Sequence, residues 1–300
     1  MEPTTFFHRS VMPQEVIELL AIKPSGVYVD ATFGSGGHTR LMLEADPTCT
    51  VVALDWDKTS LDTYAPALKE EYGDRFIPLF GSFAHIWRIL KKEKIHQIDG
   101  VLADFGTSQM QIVERPGFSI YRDTPLDMRM STAHFRTTAA DIVNQASEKE
   151  LAHIFFTYGE ERYSRKIAQA IVHDRKMQPF TTTKQLASLA ARIIPKTSKS
   201  RIHPATRIFQ ALRIVVNREL DNITDFLKQS FSLLAPGGRI VCISFHSLED
   251  RIVKQFFIEK QQEGELEIIT KKPRVPTEKE REQNPSSRSA KVRAAARIQS

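Results

Sequence analysis

The chain has 300 residues, 41% of them hydrophobic and 26% charged, with a net charge of +6. It holds no run of eighteen apolar residues, its MEPTTFFHRS start lacks the basic-then-apolar order of a secretory signal, and Cys49 and Cys242 stand far apart without metal-ligand spacing. These features predict no membrane span, no export signal, no Cys/His metal site and thiols kept reduced in the cytosol, in a chain long enough for one large domain or a domain plus an insertion.

In chain order, Pro13–Leu20 reads as a helix, with Val16, Ile17, Leu19 and Leu20 apolar, and Pro24-Ser25-Gly26 as the turn that feeds a strand. The stretch VYVDATFGSGGH (27–38) follows: an apolar strand ending in Asp30, a loop with Gly34, Gly36 and Gly37, then a helix over Thr39–Glu44. Strand, glycine turn and helix in that order open the nucleotide pocket of a doubly wound α/β sheet, where a missing Cβ lets the backbone approach a ligand. A second strand, Thr50–Leu54, ends in Asp55, about twenty residues past the loop, where an acid can grip a ribose diol. The ligand predicted from that spacing is an adenosine-containing cofactor.

The glycine pattern narrows the choice. A dinucleotide fingerprint needs a third glycine where Thr39 stands, and the Lys-Ser/Thr ending of a phosphate-cradling loop is absent. Asp30 would repel a pyrophosphate but attract a cationic amino group. S-adenosylmethionine, with its ammonium, sulfonium and ribose, fits these residues better than a nicotinamide dinucleotide.

Beyond Asp55 the pattern gives a helix (Thr59–Tyr72), a short strand (Arg75–Phe80) and a mostly polar helix (Ala84–Lys94). Phe83, just past the strand, either covers an adenine face or belongs to the core. A fourth strand, Ile98–Asp104, ends in a carboxylate at the sheet edge where open α/β sheets bind ligands, which makes Asp104 the leading candidate for chemistry. Gly106–Met130 then reads as loop and Ala139–Arg192 as helices, including Lys149–Tyr158 and Tyr163–Arg175. Strand signal returns at Arg239–Phe245, after a helix at Asp221–Leu234 and a turn at Ala235–Gly238. A βα alternation interrupted by helices predicts an insertion that caps the pocket. The charge is concentrated at the end: Lys271–Ser300 holds nine basic residues against three acidic ones. That tail suits either a polyanionic partner or a solvated, partly disordered end.

Six stretches resemble one family, the bacterial RsmH (MraW) methyltransferases of small-subunit ribosomal RNA. They are YVDATFGSGGHTR (28–40), PLDMRM (125–130), TYGEERYSRKIAQAI (157–171), HPATRIFQALRIVVNRELD (203–221), LAPGGRIVCISFHSLEDRIVK (234–254) and NPSSRSAKVR (284–293). The resemblance implies a Rossmann-like class I methyltransferase sheet built from residues 1–106 and 214–300, with a helical insertion at 107–213 that recognises RNA. It implies S-adenosylmethionine as cofactor, held by Gly36, Gly37, His38, Asp55, Phe83, Asp104 and Gln111. It implies as substrate the N4 of a cytidine in the decoding region of 16S ribosomal RNA within the small ribosomal subunit, in the cytoplasm, and leaves a homodimer open. The sequence departs from the family at Asp104–Ser119, where the loop is about one residue shorter and Pro116 splits an Arg-Gly pair; Gln111 is placed by its seven-residue distance from the acid, and Gln109 is the alternative.

Asp104 could accept a hydrogen bond from the cytidine amine and take its proton, or hold the cofactor. His246 could relay a proton or stabilise its loop. Arg207, Phe209, Gln210 and Arg213 cluster at helical spacing; with Arg115, Arg129, Asn217 and Arg251 they form the substrate-binding candidates. For Arg213 and Arg207, contacts with RNA phosphates or carboxylates are favoured over a place in the helix core; for Arg129 and Arg115 the alternatives are phosphates or the acids Asp123 and Asp127, and for Phe209 the helix core. Cys242, in an apolar strand, reads as core rather than as the nucleophile that carbon methylation would need. Three rivals remain: an amino-methyltransferase acting on DNA, a non-catalytic RNA-binding assembly factor that retains the cofactor pocket, and, last, a nicotinamide dehydrogenase.

Overall fold

The computed structural model describes residues 9–106, 115–132, 134–195 and 203–299. Gln111 and its alternative Gln109 lie outside them. The chain divides into two compact units, Met1–Gly106 with Leu220–Ser300, and Thr107–Glu219. The second crossing falls after Glu219 rather than near the expected residue 213, because Arg218 takes a left-handed conformation that ends one helix and starts the next.

The first unit is a seven-stranded sheet in the order β3-β2-β1-β4-β5-β7-β6. The strands are β1 (Val27–Asp30), β2 (Thr50–Asp55), β3 (Phe76–Phe80), β4 (Ile98–Asp104), β5 (Leu234–Ser244), β6 (Leu266–Ile268) and β7 (Lys291–Arg297). The first five in that spatial order run parallel, and β7 runs antiparallel to both neighbours. This is the expected Rossmann-like sheet of class I methyltransferases. Alternate residues feed two separate cores. Tyr28, Val51, Ala53, Leu102, Val241 and Val292 pack on one side, and Val29, Val52, Leu54, Val101, Ile240 and Cys242 on the other. Strands buried on both faces read as continuous apolar runs, which is why β1, β2 and the end of β5 were legible. Pro78 is tolerated because β3 lies at the sheet edge.

Two elements differ from the sequence expectation. The turn at Ala235–Gly238 lies inside β5: Ile98 pairs with Leu234 and Gly100 with Arg239, so four residues of β5 bulge between pairs only two apart on β4. The basic tail is a larger correction. It is neither a free arm nor disordered where described, because β7 is the strand between β5 and β6. Its charges are partly used inside the fold: Arg293 lies 2.6 Å and Lys291 3.5 Å from Asp250, Arg274 lies 2.6 Å from Glu18, and Arg297 donates to the Leu234 carbonyl. The alanines of KVRAAAR carry little strand propensity, so only the tertiary pairing reveals this strand.

Helices of this unit are α1 (Pro13–Leu20), α2 (Gly37–Ala45), α3 (Lys58–Tyr72) and α4 (Ile86–Lys92). The second unit is helical, with α5 (Ala139–Gln145), α6 (Glu148–Thr157), α7 (Ser164–Asp174), α8 (Thr183–Ile193) and α9 (Thr206–Asn217) around its own core of Leu151, Phe155, Ile167, Leu186, Ile208 and Leu212. Capping boxes at Thr138/Asp141, Ser147/Glu150 and Thr182/Gln185 fix three of its helix starts by satisfying N–H groups that no helical carbonyl reaches. The chain returns through α10 (Glu219–Leu233), then α11 (Ser247–Gln262) and α12 (Glu278–Gln283). No helix among the described residues is long and apolar enough to cross a membrane.

Candidate active site

Strand order reverses between β1 and β4, since β2 and β3 lie to one side of β1 and β4 to the other. Open α/β sheets bind ligands outside the carboxyl ends of the strands at such a point. Here those ends carry carboxylates: Asp30 on β1, Asp55 on β2 and Asp104 on β4.

Asp30 is wholly buried. Its Oδ2 accepts from the Thr39 hydroxyl at 2.7 Å and its Oδ1 from the Thr32 N–H at 3.1 Å. Burial raises its pKa, against the opposing influence of His38 and the Thr39 hydrogen bond. This carboxylate ties the glycine loop to α2. Asp104 is differently placed. Its backbone N–H donates to Thr32 Oγ1 at 2.8 Å, its Oδ2 stands 4.0 Å from His38 Nδ1, and its Oδ1 is buried with no hydrogen-bond partner among the described residues. Desolvation, then the charges of Asp30 and Glu249, drive its pKa well above the ordinary carboxylate value. A buried oxygen without a partner is rare in a folded protein. A cation or an N–H donor arriving there would satisfy it.

His38 is held by its other nitrogen, Nε2, 2.9 Å from the Val11 carbonyl. A carbonyl only accepts, so Nε2 carries the proton and Nδ1 is the atom facing Asp104. Asp55 accepts from Gly34 N–H through Oδ2 and from Asp57 N–H through Oδ1, each at 2.8 Å, and burial pushes its carboxyl up to about 6. The glycines divide their tasks. Gly36 has φ +80°, and a Cβ there would meet the Phe33 ring at 2.9 Å; a Cβ on Gly37 would collide with Ser10 Oγ. Both are therefore demanded by the protein's own packing. At Gly34, φ +55°, the space beside the backbone is open, with the nearest atom at 3.9 Å. The N-terminus of α2 has no side-chain cap, which leaves the helix end suited to an anion such as a carboxylate.

Phe83 is half-buried, 5.7 Å from Phe226, 5.9 Å from Phe105 and 6.3 Å from Trp56, ring centre to ring centre. Its ring packs on core aromatics, as the core alternative expects, while the residue keeps part of its surface exposed. His246 is the N-cap of α11: its Nδ1 accepts from the Glu249 N–H at 3.4 Å, and its Nε2 lies 3.1 Å from Glu249 Oε1, off the hydrogen-bonding angle. Glu249 in turn accepts from the Phe245 and His246 N–H groups. Arg251 is exposed on α11. Cys242 is fully buried in the core, where desolvation raises its thiol pKa far out of the reactive range. Thr32 escaped the sequence analysis. Its hydroxyl anchors the Asp104 backbone, and its one signal is its place two residues after the strand-end acid.

In the helical unit most substrate candidates are engaged within the unit. Arg129 makes a bidentate pair with Asp127, both contacts 2.7 Å, and Arg213 a bidentate pair with Glu219 at 2.8 and 2.9 Å. Asn217 is fully buried, accepting from Met130 N–H and donating to the Met128 and Arg213 carbonyls. Phe209 is 5% exposed, in the core, which corrects its assignment as a surface for a base. Gln210 donates to the Tyr158 carbonyl and Arg207 to the Glu160 carbonyl, both 3.2–3.3 Å. Arg115 is half-buried. For Arg129 and Arg213, the carboxylate alternative is the one realised.

The residues fit S-adenosylmethionine: Asp104 Oδ1 lacks a donor among the described residues, Asp55 adds a carboxylate at the end of β2, and α2 opens without a side-chain cap. Comparison with known proteins points the same way. The MraW methylase family matches residues 5–298. A protein of Cyanothece sp. called ribosomal RNA small subunit methyltransferase H is 48% identical over 299 residues, covering 99% of this chain and 97% of its own. Proteins of the same name from Syntrophotalea carbinolica and Carboxydothermus hydrogenoformans are 46% and 45% identical, covering 99% and 98% of this chain and 100% and 98% of their own. Among solved structures, TrmN from Thermus thermophilus aligns with 95% of this chain and 48% of its own, at 12% identity and a TM-score of 0.46. The chain belongs to the MraW methylase family and is an S-adenosylmethionine-dependent methyltransferase.

Proposed function

We propose that this protein methylates the exocyclic N4 of a cytidine in the decoding region of 16S ribosomal RNA, acting on the small ribosomal subunit in the cytoplasm. The names of its relatives support a small-subunit RNA substrate. The observation that carries the reading is Asp104, a strand-end carboxylate with one buried oxygen unsatisfied among the described residues. Bound S-adenosylmethionine supplies an electrophilic sulfonium methyl group. The protein's share is to position the amine and handle its proton, and positioning of that kind contributes roughly 7–11 kcal/mol toward a barrier.

Asp104 serves in either of two ways: accepting an N–H of the amine, which orients the nitrogen lone pair, or accepting the cofactor's ammonium. The burial that raises its pKa also makes its carboxylate a stronger proton acceptor. Asp55 binds the ribose, and Gly34 with the N-terminus of α2 receives the methionyl end. His38, fixed through Val11, faces Asp104 with its second nitrogen. Arg115, Arg207 and Arg251 are further side chains suited to RNA phosphate.

The test is transfer of labelled methyl to small subunits from a strain without its native enzyme, followed by nucleoside analysis. N4-methylcytidine from the wild type, and almost none from Asp104→Ala, is expected. Label on a DNA acceptor, or no transfer despite cofactor binding, overturns the proposal in favour of the DNA enzyme or the non-catalytic factor.

A further inference from the structure

The segment Ile86–Lys94 carries four cations, Arg88, Lys91, Lys92 and Lys94, against one acid, Glu93. In α4, Ile86 and Leu90 are fully buried and Ile89 packs beside them. Helical geometry then turns Trp87, Arg88, Lys91 and Lys92 outward together, and all four are exposed. None of the four cations is ion-paired among the described residues, unlike Arg40, Arg274 and Arg293 of the same unit.

Two features separate this face from an ordinary solvated helix. Trp87 keeps 43% of its surface exposed, with Lys91 Nζ 4.5 Å from the ring centre. More than half of the residue is covered, and the rest is apolar surface left in water beside a cation. Arg88 also sits in the first turn of α4, where the helix dipole disfavours a cation; Lys91 and Lys92 alone would suit the dipole. The start of the helix is fixed, because the Gln229 amide side chain donates to the Ala84 carbonyl and accepts from the Trp87 N–H. That start follows directly on Phe83, at the edge where the cofactor is proposed to bind.

We propose that the outer face of α4 binds the RNA strand that continues from the methylated cytidine, with Arg88, Lys91 and Lys92 on phosphates and Trp87 stacked against a base. Stacking on an exposed aromatic beside backbone-tracking cations is how proteins hold single-stranded RNA without reading its sequence. The inference rests on the proposed RNA substrate and extends it to a second contact surface in the sheet unit.

The experiment measures KM and kcat for unmodified small ribosomal subunits across salt concentrations, with wild type, the triple variant Arg88→Gln/Lys91→Gln/Lys92→Gln, and Trp87→Ala. A charge-matched control, Lys271→Gln/Lys272→Gln/Lys279→Gln, removes three exposed cations elsewhere on the unit. Cofactor affinity of each variant, measured by calorimetry, reports that the sheet unit is folded. The triple variant is expected to raise KM about tenfold and to flatten the slope of log KM against log salt by about two, with kcat within about twofold. Trp87→Ala is expected to raise KM about fivefold with no change in that slope. Wild-type KM and slope in a folded triple variant, or equal losses in the control, overturn the inference and leave the proposed function standing. Failure of the wild type to act on small subunits overturns both.

Discussion

The two units treat their polar side chains in opposite ways. In the helical unit, Arg129, Arg213 and Asn217 were singled out for substrate, and each is engaged by a neighbour of the same unit. In the sheet unit, Asp30 and Asp55 are likewise engaged, but Asp104 Oδ1 is buried without a partner among the described residues. A satisfied buried group specifies architecture, whereas an unsatisfied one costs stability and persists where a ligand or a reaction needs it. The contrast teaches that residue type and spacing do not distinguish a ligand contact from a structural one. The hydrogen-bond inventory does.

That contrast can be broken most sharply at Asp104. Asp104→Asn should lower kcat by about 10²–10⁴ in methyl transfer. Its unfolding midpoint should stay unchanged or rise, since a desolvated carboxyl has been removed. A fall in stability would make Asp104 structural. Asn217→Ala is the opposite case. It strips the Met130 N–H of its acceptor and frees Met128, held at φ +63°, so urea unfolding should show a loss of about 3 kcal/mol. Lost turnover with full stability would move Asn217 to the substrate.

The pH dependence of cofactor binding sharpens the sheet-unit side. With its carboxyl pushed up to about 6, Asp55 is protonated in acid and ionised above that value. Cofactor affinity should therefore rise about fivefold from pH 5 to 6 and about twofold more by pH 7, then level off, and Asp55→Asn should lose that component in a calorimetric titration. The folding contribution has the opposite course. A native pKa raised from 3.8 to about 6 means the folded state binds more protons in that window, so stability falls as pH rises through it. The smallest effect is expected at His246. His246→Ala should cost about 1 kcal/mol as a lost N-cap, while His246→Asn retains it. A proton relay would instead show as equal losses of kcat in both.

Much of the sheet unit could be read from sequence because its strands are apolar on both faces and end in acids. β1, β2 and β4 are legible for that reason, and with them Asp30, Asp55 and Asp104. β7 was not legible: KVRAAAR has neither a strand's residues nor a plain alternation, and Arg293 is buried only because Asp250 meets it. Gly36 and Gly37 were legible as a turn but not as contacts of Phe33 and Ser10, since both partners arrive through the fold.

The sequence by itself determined the strand–glycine–helix opening, the acids at the strand ends, the helical insertion and, through its motifs, the family. Periodicity and backbone chemistry are local, and a chain carries them openly. Tertiary structure alone decided which of those acids keeps an oxygen without a partner among the described residues, that the basic tail supplies a strand inside the sheet, and which arginines are already paired. Each of these depends on a partner distant in the chain, and local pattern holds no record of the distances between them.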